Sequence, residues 1–212
     1  MTCDCNRSEF LYGPEFECRF GIFKNKTFYP GLDKETFLRI LNKIKKCPQV
    51  QAVQKEKDWD LIRRFYVSSD GKTFRTSMTL WPCCGKLFTH TIEKKVQSQI
   101  HLPPQNGITS RIALSSESKP DDKEVLPFIT NTNIVRLILR KTFKYKCFEW
   151  CFSIVYSGKT RSEAEQKMLR EEEPQYELEL EIECSNAYFD QDNQYISKSI
   201  YLKIQDILAL IS

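Results

Sequence analysis

The sequence predicts an α+β fold built on a large antiparallel sheet of about eight strands, enough to close into a barrel, with helices flanking it early and late. Three observations lead there. From residue 59 onward, short segments rich in β-branched and aromatic side chains follow one another, separated by turns of Gly, Pro, Asp and Ser. Two stretches near opposite ends alternate acid and apolar residues with a period of two: EFECRFG at 15–21 and YELELEIE at 176–183. Helical patterning is confined to 33–47, 160–172 and 200–211.

The first strand is expected over 16–23, after Gly13-Pro14 and before a polar turn. A helix follows. Asp33 suits its N-cap with Thr36 at the third helical position, Phe37, Leu38, Leu41 and Ile44 recur at helical spacing, and Cys47-Pro48 stops it. Strands are then expected at 59–68, 73–81 and 86–96, with a turn at Asp70-Gly71 and a break at Pro82 to Gly85. A loop with Pro103, Pro104 and Gly107 leads into a strand at 108–117, and a polar stretch with Lys119-Pro120 and Asp121-Asp122 reads as an exposed connection. Strands at 133–145 and 147–156 come next. Residues 160–172 favour a short charged helix that Pro174 ends, with Glu171 to Glu173 as its solvated end. The Glu-rich strand and an amphipathic helix over 200–211 complete the pattern.

As a helix, YELELEIE would scatter acids and apolar residues around the axis; as a strand it puts Glu177, Glu179, Glu181 and Glu183 on one face, roughly 6.6 Å apart. Like charges that close repel, so the row needs a partner. The first strand offers a matching row: Glu15, Glu17 and Arg19 alternate with Phe16, Cys18 and Phe20. If both rows face inward, the converging carboxylates require hard cations, and Mg²⁺ or Mn²⁺ suits an all-oxygen ligand set. Arg75, Lys94, Arg111, Arg136 and Arg140 each sit inside an otherwise apolar strand, where a polyphosphate would pair them better than a single carboxylate. Lys94 and Lys95 are adjacent, so one faces in and the other out; parity does not choose, and Lys94 is taken as the inward one.

The composition narrows the class. At 212 residues the chain suits one domain spanning 1–212. No apolar run reaches the roughly 20 residues of a membrane span, and residues 1–13 lack an apolar signal region, so an intracellular protein without a membrane partner is expected. Nine cysteines at irregular spacing point to reduced thiols. Cys3, Cys5, Cys83 and Cys84 have no C-x-x-C spacing, which argues against zinc, and His90 and His101 read as ordinary strand and loop residues. The net charge of +4 is too small to argue for nucleic acid by itself. A Cys-x5-Arg phosphatase loop and a P-loop are both absent from the sequence.

EFECRFG resembles the opening E-x-E-x-R/K strand, and YELELEIE the closing E-x-E-x-E strand, of the triphosphate tunnel metalloenzymes. Within that group the chain is similar to the metal-dependent RNA 5′-triphosphatases of fungal, protist and large-DNA-virus mRNA capping systems. SRIALSSE at 110–117 and RLILRKTFKY at 136–145, followed by an aromatic strand, extend the likeness over nearly the whole chain. The resemblance implies a closed eight-stranded antiparallel barrel enclosing a triphosphate tunnel. It implies Glu15, Glu17, Glu177 and Glu179 as metal ligands or their water-mediated neighbours and Glu181 as a residue that orients the attacking water, with Glu15, Glu17, Glu179 and Glu181 essential to catalysis. Arg19, Arg75, Lys94, Arg111, Arg136 and Arg140 would hold the triphosphate.

The implied activity is metal-dependent release of the γ-phosphate from 5′-triphosphate RNA, leaving a 5′-diphosphate end for an RNA guanylyltransferase acting in cis or in trans. The chain would stand alone or form the N-terminal domain of a larger capping enzyme. It would work in the cytoplasm (virion or viral factory) if viral, or in the nucleus of a cellular eukaryote. Two departures stand out. The strand carrying Cys147, Glu149, Cys151, Ser153 and Val155 on one face lacks the basic residue usual there, and Ile138 stands where lysine is expected. The alternatives are a tunnel hydrolase of free triphosphates (tripolyphosphate, thiamine triphosphate or NTP) and a non-catalytic tunnel-fold binding module. A general RNA-binding domain would need a long external basic and aromatic patch, which the sequence lacks.

Overall fold

A computed structural model describes residues 13–52, 59–69, 72–80, 87–120, 134–182 and 193–211. The strands are β1 (Gly13–Lys24), β2 (Thr27–Pro30), β3 (Gln51–Ala52), β4 (Asp60–Ser69), β5 (Lys72–Leu80), β6 (Leu87–His101), β7 (Thr109–Ser118), β8 (Ile134–Tyr145), β9 (Phe148–Gly158) and β10 (Gln175–Ile182). The helices are α1 (Lys34–Lys45), α2 (Arg161–Arg170) and α3 (Asn193–Ile211). Eight strands close a barrel in the order β1-β10-β9-β8-β4-β5-β6-β7, and β7 pairs back to β1. All of these pairings are antiparallel. Closure therefore joins the first strand to the last, with Glu17 opposite Glu181 and Arg19 opposite Glu179.

The short strands β2 and β3, absent from the sequence reading, pair with β1 and β8. Asn25 and Lys26 adopt left-handed φ of 49° and 63°, the geometry of a tight two-residue hairpin turn, so the expected polar turn after Phe23 folds back into β2. Gly21 lets this hairpin lie close: a Cβ there would stand 2.1 Å from the Tyr29 carbonyl oxygen. β6 runs on past residue 96 to His101 through an irregularity between Val96 and Ser98, so His101 closes a strand instead of sitting in a loop. α3 begins at Asn193, earlier than expected. The Asp33 cap is as expected, with its Oδ1 accepting from the Thr36 amide at 2.8 Å. No helix among the described residues is long and apolar enough to cross a membrane.

Strand alternation separates two environments. The outward residues of β1, β10, β9 and β8 (Cys18, Phe20, Leu178, Leu180, Trp150, Phe152 and Phe143) form the hydrophobic core with Phe37, Ile40, Leu41 and Ile44 of α1 and Ile200, Ile204, Ile207 and Leu208 of α3. Phe152 meets Phe37 and Phe143 edge-on, with ring centroids 5.5 and 5.7 Å apart. Val135, Leu137 and Tyr156 pack separately around Ala164 of α2. The apolar core lies outside the barrel, and the inward positions are left to charge.

Candidate active site in the barrel interior

Every pairing register agrees on which residues face in. β1 contributes Glu15, Glu17 and Arg19; β7 contributes Arg111, Ala113, Ser115 and Glu117 opposite them. Lys94 of β6 lies opposite Glu117 and Thr73, which settles the parity in its favour, while Lys95 is exposed. Arg75 and Ser77 of β5 lie opposite Tyr66 and Arg64 of β4. Arg64 is opposite Arg136 of β8, and Arg140 faces Ser153 of β9. Glu149, Cys151 and Ser153 complete the circuit beside Glu181, Glu179 and Glu177. The described acids and all the anticipated basic residues thus share one interior. Glu183, Cys3, Cys5, Cys83 and Cys84 lie outside the described residues.

Ion pairs organise the interior. Lys94 reaches both Glu15 and Glu17, the latter at 3.2 Å, and Ser115 Oγ donates to Glu15 at 3.1 Å. Arg75 pairs with Glu117 at 2.9 Å. Arg19 bridges the closing strands, 3.2 Å from Glu17 and 2.8 Å from Glu179. Arg111 lies 3.5 Å from Glu17. Arg140 holds Glu179 at 2.5 Å and Glu181 at 3.5 Å, and its Nε donates to Ser153 Oγ. Arg136 takes Glu177 at 2.5 Å. Glu177 lies two inward positions from Glu181, about 13 Å along β10.

Arg64, Tyr66, Ser115 and Glu117 are site residues that the sequence did not single out, whereas Ser153 lies on the face expected for it. Each was legible by parity. Glu117 and Ser115 continue the Arg111 face, and on β4 the polar alternates (Asp60, Arg64, Tyr66) face in while Leu61, Phe65 and Val67 face out. The adjacency of Arg63 and Arg64 masked this, as it did for Lys94 and Lys95. The two departures also acquire a structural sense. Ile138 lies between Ile62 of β4 and Val155 of β9 in register, so the position where lysine is expected belongs to an apolar rung across three staves, while on β9 Ser153 lies opposite Arg140.

The charge balance is locally incomplete. Arg64 is buried and has no carboxylate partner among the described residues; burial and the neighbouring Arg75 and Arg140 depress its pKa. The Nε atoms of Arg19, Arg64, Arg75 and Arg111 are buried without hydrogen-bond partners. At the acid wall, burial and then the proximity of Glu179 and Glu15 push the Glu181 carboxyl up to about 7, against the opposing pull of Arg140. Burial also raises Glu179, but Arg19 and Arg140 outweigh it and hold this carboxylate ionised, well below the usual range. The ligand atoms of Glu149, Cys151 and Glu181 lie within 4.8 Å of one another. One interior therefore holds a carboxyl pushed up to about 7 and, among the described residues, an arginine that no carboxylate pairs at ion-pair distance. A hard cation fits the first, and an anion with many oxygens fits the second.

The closed barrel recurs in solved structures. Its fold is the triphosphate tunnel. The chain is similar to the Pct1 RNA triphosphatase of S. pombe, with a TM-score of 0.62 at 11% identity over 93% of this chain and 84% of that one. It is also similar to the Mimivirus capping enzyme triphosphatase, with a TM-score of 0.56 at 16% identity over 94% and 89% of the two chains. A second Pct1 structure, in complex with the Spt5 CTD, gives a TM-score of 0.60 at 12% identity, covering 96% of this chain and 86% of that one. No protein-family model matches the tunnel chain, and no curated protein does.

Proposed function

We propose that the tunnel binds a divalent metal and the 5′-triphosphate of RNA and hydrolyses the γ-phosphate, leaving a 5′-diphosphate end for capping. The observation that carries this is the paired deficit in one interior: Glu181 pushed toward neutrality beside Glu17, and Arg64 buried without a carboxylate. A metal and a polyphosphate together offset both; neither does so alone.

Register guides the assignment of roles. Glu15, Glu17 and Glu181 would hold Mg²⁺ or Mn²⁺, since Glu17 and Glu181 are cross-strand partners. Glu177, assigned to the metal by resemblance, instead holds Arg136. When bound, the metal supplies positive charge to the γ-phosphoryl oxygens and the leaving diphosphate. Arg64, Arg75, Arg136 and Arg140, with Lys94, Arg19 and Arg111, neutralise the phosphoryl oxygens from the opposite wall, in a space where their charge is little screened. Glu179, fixed by Arg19 and Arg140, accepts a hydrogen bond from the attacking water. Its low basicity suits positioning better than deprotonation, and a loose phosphoryl transition state asks for little more. The product is the substrate of a guanylyltransferase, in cis or in trans, so the chain would act wherever transcripts are capped.

The test is release of phosphate from triphosphate-ended RNA and from tripolyphosphate, with Mg²⁺ or Mn²⁺, by the protein and its Glu179→Ala variant. RNA is expected to be hydrolysed, and the variant to lose at least about 100-fold, as removal of one preorganised group does elsewhere. Release from tripolyphosphate alone would favour the free-triphosphate reading. No release from either substrate would refute catalysis and leave a binding module, and full activity in Glu179→Ala would refute the role given to Glu179.

A further inference from the structure

We infer that the tunnel mouth beside the β1–β2 hairpin stacks the first nucleoside of a triphosphate-ended RNA and so sets the preference for RNA over free polyphosphate; this rests on the hydrolytic reading above. Alternation along β1 places Phe23 on the face of Arg19 and Gly21, two inward steps beyond Arg19, with Phe28 of β2 directly opposite. His101 of β6 lies opposite Arg111 of β7. The three rings gather at this end: Phe23 and His101 have centroids 5.1 Å apart, and Phe28 and His101 5.6 Å. A cleft of about 640 Å³ opens against Phe23 and His101, bounded by Leu102, Pro103, Pro104 and Lys24. That volume lies in the range of small-ligand sites.

Arg111 connects this mouth to the tunnel. Its guanidinium carbon sits 5.1 Å from the Phe28 ring centroid, while its Nη2 is 3.5 Å from Glu17. The same side chain therefore touches the aromatic mouth and the acid wall. Phe23 is left 48% exposed although other rings adjoin it, and Lys24 and Lys26 of the hairpin are exposed too. A free polyphosphate has no use for rings or a cleft. A nucleotide does: its base can stack on Phe23 or His101, its following phosphates can meet the lysines, and its triphosphate can run past Arg111 into the tunnel.

The experiment has two readouts on the full chain. A triphosphate-ended oligoribonucleotide with 2-aminopurine as its first base is titrated with protein, and kcat/KM is measured on triphosphate-ended RNA and on tripolyphosphate. Stacking is expected to quench the 2-aminopurine fluorescence in the wild type. Phe23→Ala should abolish the quench and lower the ratio of RNA to tripolyphosphate efficiency by about 5- to 150-fold, the range of one base–aromatic stack, and Phe23→Trp should restore both. Because Phe23 is half exposed, truncating it leaves the core intact. An unquenched probe in the wild type, or a ratio unaltered by Phe23→Ala, overturns the inference even when RNA is hydrolysed. Conversely, a quenched probe that Phe23→Ala releases upholds it even if the protein hydrolyses neither substrate, an outcome that defeats the catalytic reading instead.

Discussion

Replacing Arg64 with methionine should stabilise the protein and impair its function. Arg64 is buried in β4, has no carboxylate partner among the described residues, and faces Arg75 and Arg140. Exchanging buried charge for an apolar side chain of similar volume is often stabilising, by about 1–4 kcal/mol. Against this stands the loss of the Arg64 hydrogen bond to the Tyr66 phenol, whose pKa burial alone would raise but which Arg64, Arg136 and Arg75 together bring down; that loss is about 1 kcal/mol. The net expectation for Arg64→Met is a gain of about 0–3 kcal/mol, which in a chain of this size raises Tm by up to roughly 12 °C. Tripolyphosphate with Mn²⁺ should shift the wild type by more than it shifts the variant, because ligand stabilisation follows affinity: about 2.7 kcal/mol at 100 times Kd. Thermal unfolding with and without ligand measures both. A variant that melts below the wild type in the absence of ligand, or that gains as much from tripolyphosphate, would refute the claim that Arg64 is held in readiness for an anion.

Arg140→Met should do the opposite and destabilise by about 1.5–3 kcal/mol in chemical denaturation, since it removes a charged hydrogen bond at 2.5 Å and leaves the buried Glu179 carboxylate to Arg19 alone. With the Glu181 carboxyl pushed up to about 7, protons compete with metal below that pH, so Mn²⁺ affinity measured by calorimetry should fall about tenfold from pH 8 to pH 6. The sign for stability is the reverse: protonation of Glu181 favours the metal-free fold below pH 7, and that contribution is lost as pH rises through 7. Glu181→Gln should flatten both pH profiles; a slope unchanged in the variant assigns the titration elsewhere. Gly21→Ala should lower Tm by several degrees, as an added Cβ would meet the Tyr29 carbonyl oxygen at 2.1 Å and force about 1–3 kcal/mol of overpacking.

The barrel was legible because its two faces differ so sharply. Period-two alternation of Glu with Leu and Ile in β10, and of Glu with Phe and Cys in β1, announces strands with one charged and one apolar face, and the long β8 and β9 follow the same rule. What the pattern hides is phase wherever two like residues adjoin. Arg63-Arg64 and Lys94-Lys95 each present one cation inward, and only the pairing of β4 with β5 and β8, and of β6 with β7, says which. The short elements escaped for a different reason. β2 depends on left-handed φ at Asn25 and Lys26 and on the close approach at Gly21, which are properties of backbone geometry and leave no hydrophobic period. Likewise the pairing of Glu177 with Arg136 could not be read from the motif, because the motif counts positions along one strand, whereas the ion pairs are set by what lies near it on β8.

Closure by the first and last strands has a consequence for biogenesis. As the chain emerges, the cation-bearing staves β4, β5 and β8 are made well before β10, and two of their arginines, Arg136 and Arg140, take their carboxylate partners from β10. Until that strand docks, Arg136 and Arg140 lack these two partners, while Arg75 and Lys94 can already pair with Glu117 of β7 and Glu15 of β1. Glu177 and Glu179 are thus internal counter-ions, and the strand that carries them is the wall that completes the charge balance of β8.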